Sequence, residues 1–177
     1  MIACAFTGHR PDRYFFKYNE LHPLCERIKA VLLEQAKDLY NRGVRRFYVG
    51  GALGADMWAG EAVAALKSLP GYDEAELVCA LPYKGYDSDW DDESHDRLHR
   101  LMSGCIEVKA VSGPEDKHAI KKRNQYLVDH SEILIAVYDE KRGLRSGTKQ
   151  TVEYARKLNR EIIFIHPETA AVSHFIA

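Results

Sequence analysis

Tyr48-Val49-Gly50-Gly51-Ala52-Leu53-Gly54-Ala55-Asp56 is the stretch on which the reading of this chain turns. The apolar run Arg46 to Val49 stops at paired glycines, and a helical pattern begins a few residues later. Glycine admits positive φ and lets a ligand approach bare peptide groups. The helix that follows presents unpaired N–H groups and the positive end of its dipole. Strand, glycine turn and helix start together suit a phosphate. The same turn also serves a ligand-free strand-to-helix connection. Neither the G-x-G-x-x-G order nor the G-K-[ST] ending is present, so this is neither the standard dinucleotide fingerprint nor a Walker loop.

Outward from this turn, apolar runs alternate with helical patterns. The strand candidates are Ile2–Thr7, Arg46–Val49, Glu76–Leu81, Cys105–Val111, Ile133–Tyr138 and Glu161–Ile165. They are short and nearly all apolar, as strands buried on both faces of a parallel sheet are. Between them, apolar residues recur at three-to-four spacing. The fourth helix is placed from about Glu115 to Asp129 and the fifth from about Thr148 to Asn159. Repeating βα units predict an α/β fold: three layers, with a doubly wound, mostly parallel sheet of about six to seven strands. The 177 residues read as a single Rossmann-like domain, 1–177, with no repeat or linker. The longest irregular stretch, Gly8 to His22, is placed as a flap after the first strand.

Composition narrows the classes. Hydrophobic residues make up 46% and charged residues 29%, as in soluble globular domains. A formal charge of −1 gives no global field toward nucleic acid or membrane, so neither is expected as a partner. No run approaches a membrane span, and the apolar start lacks a basic n-region, so a secretion signal is not expected. Cys4, Cys25, Cys79 and Cys105 are scattered without C-x-x-C and read as buried reduced thiols of a cytoplasmic protein.

In open α/β sheets, ligands sit beyond the carboxyl ends of the strands. Thr7, Gly8, His9 and Arg10 follow the first strand. Gly50, Gly51, Ala52, Gly54 and Asp56 follow the second, and Pro82, Tyr83 and then Trp90 follow the third. Asp139 follows the fifth and leads through Arg142-Gly143-Leu144-Arg145 to Ser146, Gly147 and Thr148. Phosphates, ribose and a base each find partners of the needed kind here. Alternatives stay open: Thr7 and Thr148 also suit helix caps, Asp56 the helix dipole, and Trp90 helix packing. In the fourth helix, Ala119, Ile120, Arg123, Asn124, Leu127 and Val128 form one stripe. Arg123 therefore occupies an apolar position and needs an anionic partner. That partner is a ligand phosphate or carboxylate, or an internal acid, Asp56 or Asp139. Should the protein be an enzyme, the catalytic candidates are Arg123, Asp56, Asp139 and His9.

His95-Asp96-Arg97-Leu98-His99 spaces two histidines one helical turn apart, with Asp91 a turn earlier, and loosely resembles H-E-x-x-H. It has Asp where that motif needs Glu, no third ligand is evident, and the helix is heavily charged. A solvated face is the reading, and no metal site is assigned.

Four ordered segments carry a family resemblance: Thr7-Gly8-His9-Arg10-Pro11, Gly50 to Met57, Lys122 to Asp129, and Ser146-Gly147-Thr148 through Tyr154-Ala155. They resemble the YpsA-like family of the SLOG superfamily, which groups the Smf/DprA and Lonely Guy proteins. The resemblance implies a Rossmann-like fold, a pocket for nucleotide-type ligands, no required cofactor, and a homo-oligomer. It does not imply one activity. The first reading is a module that binds an NAD- or ADP-ribose-like compound or a nucleoside phosphate as a sensor or sequestering protein. The second is a phosphoribohydrolase like the Lonely Guy enzymes, with Arg123 resembling their arginine. Against it, Thr151 stands where their P-G-G-x-G-T-x-x-E motif has Glu, and Glu153 lies roughly 200° around the helix. The third is single-stranded DNA binding as in the DprA relatives, through Lys121, Lys122, Arg123, Arg142 and Arg145.

Overall fold

The structure, a computed structural model, describes residues 2–141 and 146–176. The loop Arg142-Gly143-Leu144-Arg145 lies outside the described residues. The order of elements is β1 (Ala3–Gly8), α1 (Pro23–Asn41), β2 (Arg46–Val49), α2 (Ala55–Lys67), β3 (Glu76–Tyr83), α3 (Asp92–Ser103), β4 (Glu107–Ser112), α4 (Ala119–Asp129), β5 (Ile133–Val137), α5 (Gly147–Lys157), β6 (Glu161–Ile165) and β7 (Val172–Phe175). Among the described residues the strands form one sheet in the order β4-β3-β2-β1-β5-β6-β7. β1 to β6 pair in parallel, and β7 closes the edge antiparallel to β6. The expected doubly wound α/β sheet is thus the observed one.

Alternation along each strand builds two cores. Phe6, Phe47, Cys79 and Ile135 face α1, α2 and α3, where Leu32, Leu39, Trp58, Leu66 and Leu98 meet them. Their neighbours Ala5, Tyr48, Val78 and Leu134 face α4 and α5, with Leu127, Val128, Val152 and Ala155. Both faces of the central strands are covered, which is why those strands are apolar at nearly every position.

Four differences from expectation have physical causes. β3 runs on to Tyr83 rather than stopping at Leu81, because it pairs with β4 beyond the end of β2. Pro82 is tolerated there, since its missing donor would point to the side that β2 no longer reaches. β4 is not buried on both faces: Glu107 to Ala110 are exposed, as suits a charged edge strand. α4 starts at Ala119 rather than near Glu115, because Asp116 draws the preceding turn onto itself, accepting from His118 N–H at 2.8 Å and Lys122 Nζ at 2.6 Å. The stretch Gly8–His22 is no loose flap. Tyr14 and Phe16 are buried, with ring centroids 5.0 and 5.9 Å from Trp58 of α2. Arg97 of α3 clamps Glu20 through Nη1 (2.6 Å) and Nη2 (2.9 Å) while also holding Glu61.

The chain winds outward from β1 to β4 on one side and from β5 to β6 on the other. The strand order therefore switches between β1 and β5.

Candidate ligand site at the sheet switch point

A cavity of about 410 Å³ opens beyond the carboxyl ends of β1 and β5. Thr7, Gly8, His9 and Arg10 line it, then Asp12 and Arg13. Ala52 and Asp56 come from the glycine turn and α2, and Ile120, Arg123 and Asn124 from α4. Ser146, Gly147 and Thr148 come from the start of α5. Four sequence segments far apart in the chain thus meet where the topology places a crevice.

The glycine turn is scaffold beneath this cavity more than its wall. Gly50, Gly51 and Gly54 are buried and do not line it. Gly54 has φ +88°, and a Cβ there would lie 2.6 Å from the His9 carbonyl oxygen, so only glycine lets α2 start against the loop after β1. The first amide of α2, Ala55 N–H, donates to that same carbonyl at 3.2 Å. The backbone amides of Ala52 and Gly50 help hold the charge of the Asp56 carboxylate. These amides serve the fold. The cavity instead receives the first residues of α5, whose Ser146 Oγ accepts from Lys149 N–H at 3.0 Å. Gly147 and Thr148 lie in that first turn, where amides lack intrahelical acceptors.

Arg123 is buried at 3% exposure. It donates through Nη1 to the Gly50 carbonyl and through Nε to Asn124 Oδ1 at 2.8 Å. A Cβ at position 50 would collide with this guanidinium and with the Asp56 carboxylate, which flank the same point. Of the two internal acids foreseen for Arg123, Asp56 is the one at hand. Burial pushes the Asp56 carboxyl up, while Arg123, the two backbone donors and Arg10 pull it back. Asp139 sits elsewhere, 3.6 Å from His9 Nε2 and 3.4 Å from Lys141 Nζ, and does not line the main cavity. Burial lowers the His9 pKa despite Asp139, so its imidazole is held toward the neutral form.

The aromatic platform is displaced from the cavity. Trp90 lines a neighbouring cavity of about 260 Å³ with Tyr86, Tyr18, Leu53 and Pro11, which shares Arg10 and Asp12 with the first. Arg10 Nη2 donates to Tyr86 Oη at 3.0 Å across the boundary. Pro82 is buried in β3, and Tyr83 reaches this group through its edge contact with Tyr86. Asp12, Arg13 and Ile120 of the first cavity, and Tyr18, Leu53 and Tyr86 of the second, are residues that sequence reasoning missed. Asp12 and Arg13 adjoin a quoted motif, whereas Ile120 resembled core and Tyr86 carried no signal. Thr151, where the hydrolase motif has Glu, is buried and donates to the Gly147 carbonyl at 2.8 Å. Glu153 lines a separate cavity with Lys121 and Gln125. The view that His95 and His99 lack a third ligand is corrected: Asp87 meets both. Among the described residues, no helix is long and apolar enough to cross a membrane.

The model of the YspA SLOG family matches residues 4–170. The chain is 30% identical over 162 residues to the uncharacterized SPbeta prophage-derived protein YoqJ of Bacillus subtilis (strain 168), covering 83% of this chain and 92% of that one. A UPF0398 protein of Bacillus cereus (strain B4264) is 26% identical over 159 residues, covering 89% and 84%. The fold is similar to that of DNA processing protein A from Helicobacter pylori, with TM-score 0.60 and 19% identity over 92% of this chain. The likeness spans 64% of that longer chain, whose structure describes a single-stranded DNA binding mode. It overturns the expectation that nucleic acid is not a partner. A net charge of −1 is a whole-chain sum and says nothing of one face, and Lys121 and Lys122 stand exposed on α4.

Proposed function

Because the chain belongs to the YspA SLOG family, we propose that it binds a phosphate-bearing nucleotide derivative in the switch-point cavity. One observation carries the reading: the opening turn of α5 faces the same cavity as Arg10, Arg13 and the buried Arg123. A helix N-terminus favours an anion, and guanidinium groups match the oxygens of a phosphate. The volume is that of a small-ligand site. Phosphate rests at Gly147 and Thr148, with Arg123 and Arg10 as counter-charges. Asp56 takes ribose hydroxyls, and the base extends past Arg10 toward Tyr86 and Trp90. Binding is favoured over cleavage of the Lonely Guy type because Thr151 stands where those enzymes have Glu, and its hydroxyl donates to the Gly147 carbonyl.

Thermal unfolding with AMP, ADP-ribose and NAD, against adenosine as the phosphate-free control, tests this. A ligand at about 100 Kd adds about 2.7 kcal/mol. For a chain of this size that is a rise of about 5–10 °C. No rise with any phosphorylated compound, or an equal rise with adenosine, refutes the reading. Free base released in the same mixtures would establish turnover.

A second reading has its own observation, the fold shared with DNA processing protein A. The phosphate in the cavity would then belong to a single strand tracking over Lys121 and Lys122. Retention of labelled single-stranded DNA that falls steeply with salt would support it.

A further inference from the structure

We propose that Asp87, His95 and His99 form a binding site for a divalent transition cation of the zinc class. α3 sets the two histidines one turn apart, with ring centroids separated by 4.2 Å. The connection from β3 folds back so that one oxygen, Asp87 Oδ2, lies 2.6 Å from His95 Nδ1 and 3.0 Å from His99 Nε2. The three ligand atoms all lie within 4.8 Å of one another. None of these residues lines the switch-point cavity, so the site is independent of the nucleotide reading.

Local structure aims the carboxylate. Gly85, at φ +80°, turns the chain, and Ser88 N–H donates back to its carbonyl at 3.0 Å. Trp90 N–H donates to the Asp87 carbonyl at 3.1 Å, and Asp91 caps α3 by accepting from Ser94 N–H at 2.9 Å. Asp87 is thereby pinned at 5% exposure. A buried carboxylate needs a compensating charge. Among the described residues, its ion-pair partners are these two histidines.

The arrangement fits a cation without refolding. Zinc holds nitrogen and oxygen ligands at about 2.0–2.2 Å, so neighbouring donors of a tetrahedral ion stand roughly 3.3–3.5 Å apart. Asp87 Oδ2 needs to part from each histidine nitrogen by less than about 1 Å from the present 2.6 and 3.0 Å. The histidine side chains, 45% and 52% exposed, have room to swing. Asp92 and Glu93 in the first turn of α3 add negative potential. Two imidazoles and one carboxylate select zinc, cobalt or nickel over magnesium or calcium, which prefer all-oxygen sets. Three protein ligands leave the remaining position to water or a substrate group.

Tag-free protein stripped with a chelator is titrated with Zn2+ against a chromophoric zinc chelator, and in parallel with Co2+ by visible absorption. One equivalent binds with micromolar or tighter affinity, and excess Mg2+ does not displace it. His95→Ala, His99→Ala and Asp87→Asn each weaken binding by at least the ~10–100-fold that changes around metal ligands cost. His130→Ala, an exposed histidine just past the end of α4, leaves it unchanged. Far-UV circular dichroism verifies that each variant is folded. No saturable binding, or binding that survives the combined His95→Ala and His99→Ala replacement, overturns the site.

Discussion

Replacing Arg123 by Met keeps the apolar stem and removes the charge. The side chain is buried, so solvent cannot take over its work. The Gly50 carbonyl loses a donor and Asp56 loses its nearest counter-charge. An orphaned buried acceptor costs about 1–3 kcal/mol, which sets the expected loss, and the weakened attraction on Asp56 adds to it. With a urea m-value near 2 kcal/mol per M, the midpoint falls by about 1 M. The penalty depends on pH. Burial raises the folded pKa of Asp56 above its unfolded value of about 3.9, so its contribution is fully present below that pH and is lost as pH rises through the folded value. Without Arg123 the folded value climbs further, and the gap between variant and wild type widens from acidic to neutral pH. Asp56→Asn, which keeps an oxygen acceptor but removes the charge, should rescue part of the loss in the double variant. Urea melts of the four proteins at about pH 4.5 and 7 read all of this. A loss under about 1 kcal/mol, a gap independent of pH, or strict additivity refutes the electrostatic account of Arg123.

Gly54→Ala should destabilise by about 2 kcal/mol or more, because φ is positive and its Cβ meets the His9 carbonyl; a urea midpoint equal to wild type would refute this. Gly51→Val should lose stability in thermal melts before any ligand is added, because φ is +72° and its Cβ would lie 2.8 Å from Leu81 Cδ2. Although burial raises it, Glu20 is held down to about 2 by Arg97 and Lys29. Its stabilisation is therefore present above its unfolded pKa of about 4.3 and lost as pH falls toward 2. Arg97→Gln should move acid unfolding to higher pH, read by circular dichroism, and an unchanged acid midpoint would refute the clamp. Burial pushes the Cys79 thiol up to about 12 and Cys25 up to about 11, so both should resist alkylation at neutral pH until urea unfolds the chain; rapid labelling of native protein, read by mass spectrometry, would refute this.

The sequence by itself determined the order and type of the elements from β1 to β6, whereas the antiparallel edge strand β7 was not among its strand candidates. Strands buried on both faces must be apolar throughout, and helices packed on one side must repeat at three-to-four spacing, so β2, β6 and the α4 stripe are written in local pattern. Thr7 to Arg10, Arg123 and Ser146 to Thr148 were legible for a related reason: the end of a strand or the start of a helix is visible locally, and topology gathers such ends at one edge. Tertiary structure alone decided which of these groups share a cavity. The first amide of α2 is taken by the His9 carbonyl, and the Ala52 and Gly50 amides support the Asp56 charge, a matter of where donors point, which residue spacing does not encode. Asp139 falls to His9 rather than Arg123, and Trp90 to a second cavity, because side chains from separate elements meet only when the sheet is assembled. Asp87 joins His95 and His99 across a loop whose turn at Gly85 sets its reach. Such a loop lacks the period that makes a helix or strand readable, so a third ligand placed by it shows only in three dimensions.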